Sequence, residues 1–467
     1  MHTPVIVLLA DGLRPDTLRQ AIDSGELPAM AALREAGALC EVTSVFPSVT
    51  GPAYVPFLLG RFPGGAGIPG LRWFDRARDA TGFPDHTRSY VGYQMNALNR
   101  DLDAEAPTIF DLVPESAAAL SMISRGLLPH GQLAVLNLRS AARAIRTHFG
   151  GKLDEWLVVD RETSEKVIRR ARRRDTRFVF AAFLATDKLS HAHGQQASVV
   201  TPALRIVDDT VAELRQPGNG AAIPRIWIAS DHGHSSVRHH DDLHSLIAAL
   251  GHRVIAHPWV YKRNPDVAVM VSGNAMAHVY LELAHRLRPY WTALAHRWRS
   301  FMEMLLVRES VDLLLLPLDA HTCIVKSRAR GEALISTSDS RFSYQRQDGD
   351  PLGLGRDLDA VDRVVAWEAT SHTDYPDGIV QIGSIAGGSR CGDIVLSATR
   401  GWDFRERYEP IPHASSHGAL HRDHMTVPLL LDRPPSRPPR RTADVMPSAL
   451  AALRVAAPPG LDGESFL

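Results

Sequence analysis

Apolar runs alternate with helix-like segments along this chain, and three of the runs end in an aspartate. The runs cover residues 5–10, 177–186 and 225–230 and are rich in β-branched and aromatic side chains. Such runs are typical of strands buried on both faces of a parallel sheet. Residues 16–36 and 201–214 instead place apolar side chains at helical spacing. The pattern predicts an α/β fold with a mostly parallel central sheet and helices on both faces.

The pattern changes between residues 258 and 370, where short alternating runs surround one helix-like segment. Alternation favours half-buried strands, and we expect an inserted α+β cap over the crevice of the core. The apolar segment 392–399 is expected to resume the core. The predicted division is a first core segment 1–257, a cap 258–370 and a second core segment 371–467.

Composition limits the expected partners. The 467 residues include 52 basic and 52 acidic side chains, which gives no long-range attraction to nucleic acid or to an anionic membrane. No apolar run is long enough to span a bilayer. Cys40, Cys323 and Cys391 lie far apart in sequence, so they predict neither a cysteine-rich zinc site nor a disulfide framework. We expect a cytoplasmic protein whose partners are small molecules.

Acidic and imidazole side chains follow the predicted buried strands. Asp11, Asp187 and Asp231 each end one run, with His232 next to Asp231 and His191 four residues after Asp187. Ligands bind at the carboxyl edge of parallel sheets, and residues four apart share one face of a helix. An isolated Asp-His-Gly is more often a polar turn after a strand. Repetition after three strands favours a site for two divalent cations.

Thr50 is the candidate nucleophile. It lies between a short predicted strand and a predicted helix that has Pro52 in its first turn. A threonine in this position frequently only caps the helix. In the functional alternative its hydroxyl lies at the positive helix end, where a phosphoryl group would be held and a metal ion would lower the hydroxyl pKa. The two roles are compatible.

Five motifs resemble, in order, those of the alkaline phosphatase superfamily, and most closely its type I phosphodiesterase/nucleotide pyrophosphatase branch. They are Asp11-Gly12, Phe46-Pro47-x-x-Thr50, Asp187-x-x-x-His191, Ser230-Asp231-His232-Gly233 and Ser416-His417-Gly418. The resemblance runs from end to end and implies an alkaline-phosphatase-like fold. It further implies two ligand sets, one of Asp11, Thr50, Asp231 and His232 and one of Asp187, His191 and His417.

Only the Ser-His-Gly context separates His417 from His421 and His424 as a ligand. His234 is expected to lie behind the ligands rather than among them.

Position 53 departs from the resemblance. Many members of this branch carry Asn three residues after the nucleophile, and this chain has Ala53. Tyr54, Asn96 or a backbone N–H could bind a phosphoryl oxygen in its place. The Gly-rich segment 64–99 also contains Arg72, Trp73 and Tyr93 as specificity candidates. A guanidinium such as that of Arg72 can grip a terminal phosphate with two hydrogen bonds.

The resemblance implies metal-dependent hydrolysis of phosphoric esters. We expect cleavage of phosphodiester or nucleotide pyrophosphate bonds through Thr50 and two divalent metal ions. Imidazole and carboxylate ligands without thiolate favour zinc, with manganese as the alternative. Hydrolysis of phosphomonoesters, phosphonates or sulfate esters is the alternative within the superfamily, and a non-catalytic metal-binding relative is the alternative outside enzymes. The expected partner is a small phosphate ester or a nucleotide.

Overall fold

The structure is a computed structural model that describes residues 3–78, 86–134, 147, 153–216, 222–404 and 413–467. The strands are β1 Val5–Ala10, β2 Ala38–Thr43, β3 Arg72–Phe74, β4 Thr87–Ser89, β5 Ser116–Ala119, β6 Gln132–Ala134, β7 Phe178–Phe183, β8 Arg225–Ala229, β9 Ser235–His240, β10 Val254–Ile255, β11 Val267–Ser272, β12 Met276–Leu281, β13 Val311–Pro317, β14 Thr322–Ser327, β15 Gly331–Ser338, β16 Arg341–Arg346, β17 Leu358–Val361, β18 Ile394–Ala398, β19 Gly401–Asp403, β20 Ser415–Ser416 and β21 Thr426–Leu431.

The α-helices are α1 Pro15–Asp23, α2 Pro28–Ala36, α3 Val55–Leu59, α4 Ala97–Asp101, α5 Ile109–Leu112, α6 Asp154–Ala171, α7 Ala185–His193, α8 Ala197–Leu214, α9 Leu243–Ala249, α10 Tyr290–Leu306, α11 Arg363–Thr370, α12 Gly378–Gly387, α13 Arg422–Met425 and α14 Val445–Ala452. Short 3-10 helices cover Pro52–Tyr54, Gly92–Gln94, Pro129–Gly131 and Thr442–Asp444. The sequence also predicts a helix over residues 141–174, and part of that range lies outside the described residues. Among the described helices, none is both long enough and apolar enough to cross a membrane.

The central sheet has seven strands in the order β2-β21-β8-β1-β7-β5-β6. Strands β8, β1, β7, β5 and β6 run parallel, while β21 is antiparallel to both of its neighbours. The parallel strands therefore end at one edge, and the segments that follow β1, β7 and β8 meet there. The prediction of a mostly parallel central sheet is confirmed.

Both faces of this sheet are covered by helices. Ile6, Leu8 and Ala10 of β1 belong to a buried cluster with side chains of α1, α2, α6 and α8. Val5 and Val7 point to the other face and pack in a cluster with side chains of α3, α5 and α14. Because successive strand residues face opposite sides, a strand covered on both faces is apolar throughout. That is why β1 gives an unbroken apolar run in the sequence.

A second sheet has nine strands in the order β10-β11-β12-β18-β13-β14-β15-β16-β17. Apart from β10 and β11, its neighbouring strands are antiparallel. Strand β18, which we expected in the core, lies between β12 and β13 near the middle of this sheet. Pairing across the sheet decides where an apolar strand belongs, and local pattern does not encode it. The domain boundaries at 258 and 370 stay a prediction.

Candidate active site

The first group of site residues lies where β1 and β8 end side by side. Asp11 follows β1, and Asp231 and His232 follow β8. His232 Nε2 lies 3.3 Å from Asp11 Oδ1 and 3.5 Å from Asp231 Oδ2. All three side chains are buried, and their ligand atoms lie within 4.8 Å of one another. Parallel pairing of β1 with β8 thus brings together residues from both ends of the core segment.

The chemistry of this group fits a divalent cation. Asp231 Oδ2 is buried and has no hydrogen-bond partner among the described residues. Burial and the nearby Asp11 carboxylate raise the pKa of Asp231 well above its usual range. Although burial opposes it, Asp231 and Asp11 raise the pKa of His232 to about 9. A bound cation would take over the neutralisation of the two carboxylates from the His232 proton and would leave His232 as a neutral imidazole ligand.

Thr50 points its hydroxyl into this group. Its Oγ1 donates toward Asp11 Oδ1 at 3.2 Å and lies 3.1 Å from His232 Nε2. The helix expected to begin at Thr50 consists of the 3-10 turn Pro52–Tyr54 and the short α3, with Gly51 in the N-cap position. Gly51 has a φ of 95°, which glycine adopts without strain. The Thr50 side chain therefore faces Asp11 and His232 instead of capping a helix.

Long-range hydrogen bonds fix the loop that carries Thr50. Ser48 Oγ donates to Ala419 O at 2.9 Å. The Phe46 amide donates to Gln381 Oε1 at 3.0 Å, and Gln381 Nε2 donates to Asp377 at 2.8 Å. Both oxygens of Asp377 in turn accept from the buried guanidinium of Arg441, at 2.7 Å each.

The second group of site residues lies at the carboxyl end of β7. Helix α7 carries Asp187 in its first turn and His191 one turn later. His191 Nε2 lies 3.3 Å from Asp187 Oδ1, and His417 Nε2 lies 3.6 Å from the same oxygen. Asp187, His232, His234 and His417 are buried and offer ligand atoms within 4.8 Å of one another. This second group could hold a second ion.

The two groups adjoin through stacked imidazoles. The rings of His232 and His417 lie 3.7 Å apart at an angle of 11°. Burial, together with the nearby His232, lowers the pKa of His417 well below its usual range, which keeps its ring neutral and able to bind a metal. His417 Nδ1 lies 3.1 Å from Ser48 O, which leaves Nε2 facing Asp187.

Hydrogen bonds to β9 and to the β11–β12 hairpin hold the segment that carries His417. His424 is turned away from this centre, because its Nε2 contacts Ser235 Oγ at 2.8 Å and its Nδ1 accepts from the Ala419 amide at 3.0 Å. The turn between β11 and β12 packs against the same segment, since Ser416 Oγ donates to Gly273 O at 3.0 Å. The second sheet thus contributes directly to the position of His417.

His234 is closer to the centre than the sequence suggested. Its Nε2 lies 2.9 Å from Asp187 Oδ1, and its Nδ1 lies 3.1 Å from Ser415 Oγ. Burial lowers the pKa of His234 to about 3, so the ring is neutral. Gly12 has a φ of 71°, and a Cβ there would lie 2.7 Å from the His234 ring. Gly12 therefore makes room for an imidazole that orients Asp187.

Asn274 and His413 were missed by the sequence analysis. Asn274 Nδ2 lies 2.8 Å from His413 Nδ1, and the His413 ring lies 4.5 Å from the ring of His191. They come from a turn and from the segment before β20, neither of which matches a motif. Only the paired glycine and asparagine at positions 273 and 274 mark the turn in the sequence.

The expected substrate residues occupy three different environments. Tyr54 is fully buried, and its hydroxyl has no hydrogen-bond partner among the described residues. Asn96 is exposed just before α4. Arg72 donates from Nε to Ser89 Oγ at 3.4 Å and from its amide to Ser272 Oγ at 3.2 Å, which ties it to the strand that leads into the Gly273 turn. Their substrate roles stay predictions.

Three further expectations about substrate binding concern Trp73, Tyr93 and the backbone at Ala53. Trp73 is buried and donates from Nε1 to Tyr90 Oη at 3.0 Å, and the Tyr93 side chain lies outside the described residues. The amide of Ala53 is already bonded to Val49 O at 2.9 Å. That amide is therefore not available to replace the side chain of the branch's Asn.

The fold and the two side-chain groups define an α/β protein with buried carboxylate and imidazole groups beside a threonine hydroxyl. A sequence model of the family described as Type I phosphodiesterase / nucleotide pyrophosphatase matches residues 5–310. The chain belongs to this family and is a hydrolase of the phosphodiesterase/nucleotide pyrophosphatase kind. The resemblance drawn from the five motifs is confirmed. A search of curated protein sequences returns no match.

Solved structures share the fold over nearly the whole chain. Phosphonoacetate hydrolase from Sinorhizobium meliloti 1021 in complex with phosphonoformate aligns at 18% identity with a TM-score of 0.58, covering 97% of this chain and 96% of that one. The same enzyme with phosphonoacetate aligns at 17% identity with a TM-score of 0.59 and the same coverage. Human ectonucleotide pyrophosphatase/phosphodiesterase 5 aligns at 14% identity with a TM-score of 0.56, covering 99% and 97%. These likenesses confirm the alkaline-phosphatase-like fold.

Proposed function

We propose that this protein hydrolyses phosphodiester or nucleotide pyrophosphate bonds, with Thr50 as nucleophile and two divalent metal ions as cofactors. The observation that carries the proposal is the direction of the Thr50 hydroxyl, which lies within 3.2 Å of both Asp11 and His232. A hydroxyl placed among buried metal-ligand side chains suits nucleophilic attack better than a structural role.

The side chains divide into two ligand sets. Asp11, Thr50, Asp231 and His232 would hold one ion. Asp187, His191 and His417 would hold the other, with His234 orienting Asp187 through its hydrogen bond. Imidazole and carboxylate donors favour zinc, and manganese is the alternative. When bound, such ions lower the pKa of a hydroxyl and neutralise charge on phosphoryl oxygens.

Thr50 carries the covalent chemistry. Its oxygen forms a bond to phosphorus while the bond from phosphorus to the leaving oxygen breaks, and the leaving group takes up a proton. A water molecule then attacks phosphorus, breaks its bond to Thr50 and restores the hydroxyl. Hydrogen bonds from Ser48 and Phe46 to distant residues keep the Thr50 loop in place through both steps.

Phosphonate hydrolysis is the second candidate. It is favoured by the fold likeness to phosphonoacetate hydrolase, which is solved with phosphonoformate and with phosphonoacetate bound. Tyr54, Arg72 and Asn96 are the candidate residues that would choose among substrates. We propose small phosphate esters or nucleotides as partners and expect no general affinity for nucleic acid, because the chain has no net charge.

The cysteines support a cytoplasmic location. Cys40, Cys323 and Cys391 are all free thiols in the structure. A reducing compartment keeps cysteines in this state.

A substrate panel tests the function. Zinc-loaded protein and Thr50→Ala would be assayed with nitrophenyl phosphate, a matched nitrophenyl diester, nitrophenyl sulfate and phosphonoacetate. We expect turnover of the diester that is lost in Thr50→Ala. Faster cleavage of phosphonoacetate would favour the second candidate. A protein that binds two ions and turns over none of the four would instead be a binding relative.

A further inference from the structure

A carboxylate outside both ligand sets holds the helix that carries Asp187 and His191. Asp160 lies on α6 and is fully buried. Its Oδ1 accepts from the Leu184 amide at 2.9 Å and its Oδ2 from the Ala185 amide at 3.0 Å. No Lys, Arg or His of the described residues forms an ion pair with it. Its contacts are thus two adjacent N–H groups where β7 turns into α7.

Asp160 replaces a cap that α7 lacks. The N-cap residue of α7 is Leu184, whose side chain cannot accept a hydrogen bond. The first amides of a helix need hydrogen-bond partners, and the Asp160 carboxyl accepts from two of them. The far end of the same helix is held by Ser415, whose Oγ donates to Ser190 O at 2.6 Å. The helix is therefore fixed at both ends.

We propose that Asp160 is a positioning residue for the second metal ion, and this inference rests on the proposed function. Asp187 lies in the turn whose amides Asp160 binds, and His191 lies one turn further on. Asp187 Oδ1 and His191 Nε2 must stay close to bind one ion, and they are 3.3 Å apart. If the first turn loses its anchor, the two ligand atoms no longer keep a fixed relation to His417.

The chain contains a matched control. Asp208 on α8 accepts from the amides of Ala29 and Met30 at 3.2 and 2.7 Å. Those amides begin α2, whose N-cap residue is also a leucine without a capping side chain. Asp208 is buried as well, but α2 carries none of the site residues. Asp208→Asn therefore removes the same kind of support without touching the site.

The experiment compares zinc binding by the metal-free parent, Asp160→Asn and Asp208→Asn. Affinities for both ions would be measured by competition with a chelator, and the cobalt-substituted proteins would be compared by their visible spectra. We expect Asp160→Asn to weaken one of the two binding events at least about tenfold, as loss of support behind metal ligands generally does. Its cobalt spectrum should change, and excess zinc should restore its turnover. Asp208→Asn should match the parent in zinc affinity, cobalt spectrum and turnover.

Equal affinities for the parent and Asp160→Asn would overturn the inference, and so would an equal loss in Asp208→Asn. A parent that binds two ions but cleaves no ester would overturn the proposed function and leave the role of Asp160 intact. A parent that binds no metal would overturn both.

Discussion

At the scale of single residues, the contacts of Thr50 distinguish helix capping from the proposed role as nucleophile. A capping hydroxyl accepts a hydrogen bond from an amide two or three residues ahead. Thr50 Oγ1 instead donates toward Asp11. Two residues ahead lies Pro52, which has no amide N–H, and the Ala53 amide bonds to Val49 O at 2.9 Å. The Thr50 hydroxyl therefore caps no helix and is available for the proposed nucleophilic attack.

Replacing Thr50 tests that role. Thr50→Ala should abolish turnover of a diester while zinc content and fold are retained, because the other ligands remain. The free energy of unfolding should change by less than about 1 kcal/mol, since no helix cap is lost. Thr50→Ser keeps a hydroxyl and should retain activity. Steady-state kinetics, elemental analysis and urea unfolding measure these outcomes, and near-native turnover by Thr50→Ala would contradict them.

Arg72 tests the choice between diester and monoester. We expect a higher kcat/KM for a nitrophenyl diester than for the matched monoester, since no motif places an arginine beside Thr50 to neutralise the extra charge. Arg72 is the exception to examine, because a guanidinium binds a terminal phosphate with two hydrogen bonds. A parent that prefers the monoester, with the preference lost in Arg72→Ala, would show that Arg72 sets the substrate class.

The sequence identified the site residues that lie next to a recognisable pattern, either an apolar run or a motif. Asp11, Asp187 and Asp231 each end an apolar run, and the resemblance placed Thr50 and His417 beside them. Asp160 and Asn274 lie in a helix interior and a turn, and they matter only through contacts with segments far away in the chain. Such contacts depend on how elements pack, which periodicity does not encode.

At the scale of elements, the order of strands in the central sheet explains the site, because β8, β1 and β7 are neighbours and their carboxyl ends meet at one edge.

The sequence identified elements more readily than their pairing. Buried strands were recognisable because they are covered on both faces, and helices because their apolar positions recur at helical spacing. The nine-stranded sheet was recognisable only as a region of strands, since β18 joins it from beyond the predicted cap. Pairing partners lie too far apart in sequence for a local pattern to identify them.

The anchor of α7 predicts a pH dependence of stability. Burial raises the pKa of Asp160 from 3.8 to about 7, so the folded protein binds this proton more tightly than the unfolded chain. Protonated Asp160 stabilises the fold fully below the pKa of the unfolded chain, and this contribution is lost as pH rises through the pKa of the folded protein. A rise from about pH 4 to pH 7 therefore lowers the free energy of unfolding by at most about 4 kcal/mol.

Urea unfolding of the metal-free parent and of Asp160→Asn would measure this from pH 5 to pH 8. The free energy of unfolding of the parent minus that of Asp160→Asn should fall as pH rises. A difference that stays constant with pH would mean that Asp160 does not titrate in this range.

The support of the Thr50 loop predicts a loss of stability. Arg441 and Asp377 are buried and paired, and Asp377 also holds Gln381, which binds the Phe46 amide. Arg441→Met leaves the Asp377 charge without a cationic partner and should lower the free energy of unfolding by about 3–5 kcal/mol. The double variant Arg441→Met/Asp377→Leu should lose less, because no charge is left buried. Equal losses in the two proteins would contradict this.

At the scale of the whole molecule, we expect metal binding to be coupled to folding. The proposed ligand sets draw on the ends of β1, β7 and β8 and on the segment held by the second sheet. Purified protein should contain about two zinc ions per chain. Zinc at about a thousand times its dissociation constant should raise the free energy of unfolding by about 4 kcal/mol for each ion bound. Elemental analysis and urea unfolding with and without chelator measure this, and an absence of metal with no activity regained on adding Zn²⁺ or Mn²⁺ would refute it.

The position of His417 between the Thr50 loop and the β11–β12 turn has a genetic consequence. A premature stop codon at position 417 would still encode all nine strands of the second sheet and six of the seven strands of the central sheet. The product would lack His417, one imidazole of the proposed second ligand set, and also β21, the partner of both β2 and β8. Nonsense alleles at position 417 should therefore be as inactive as those that truncate the chain much earlier.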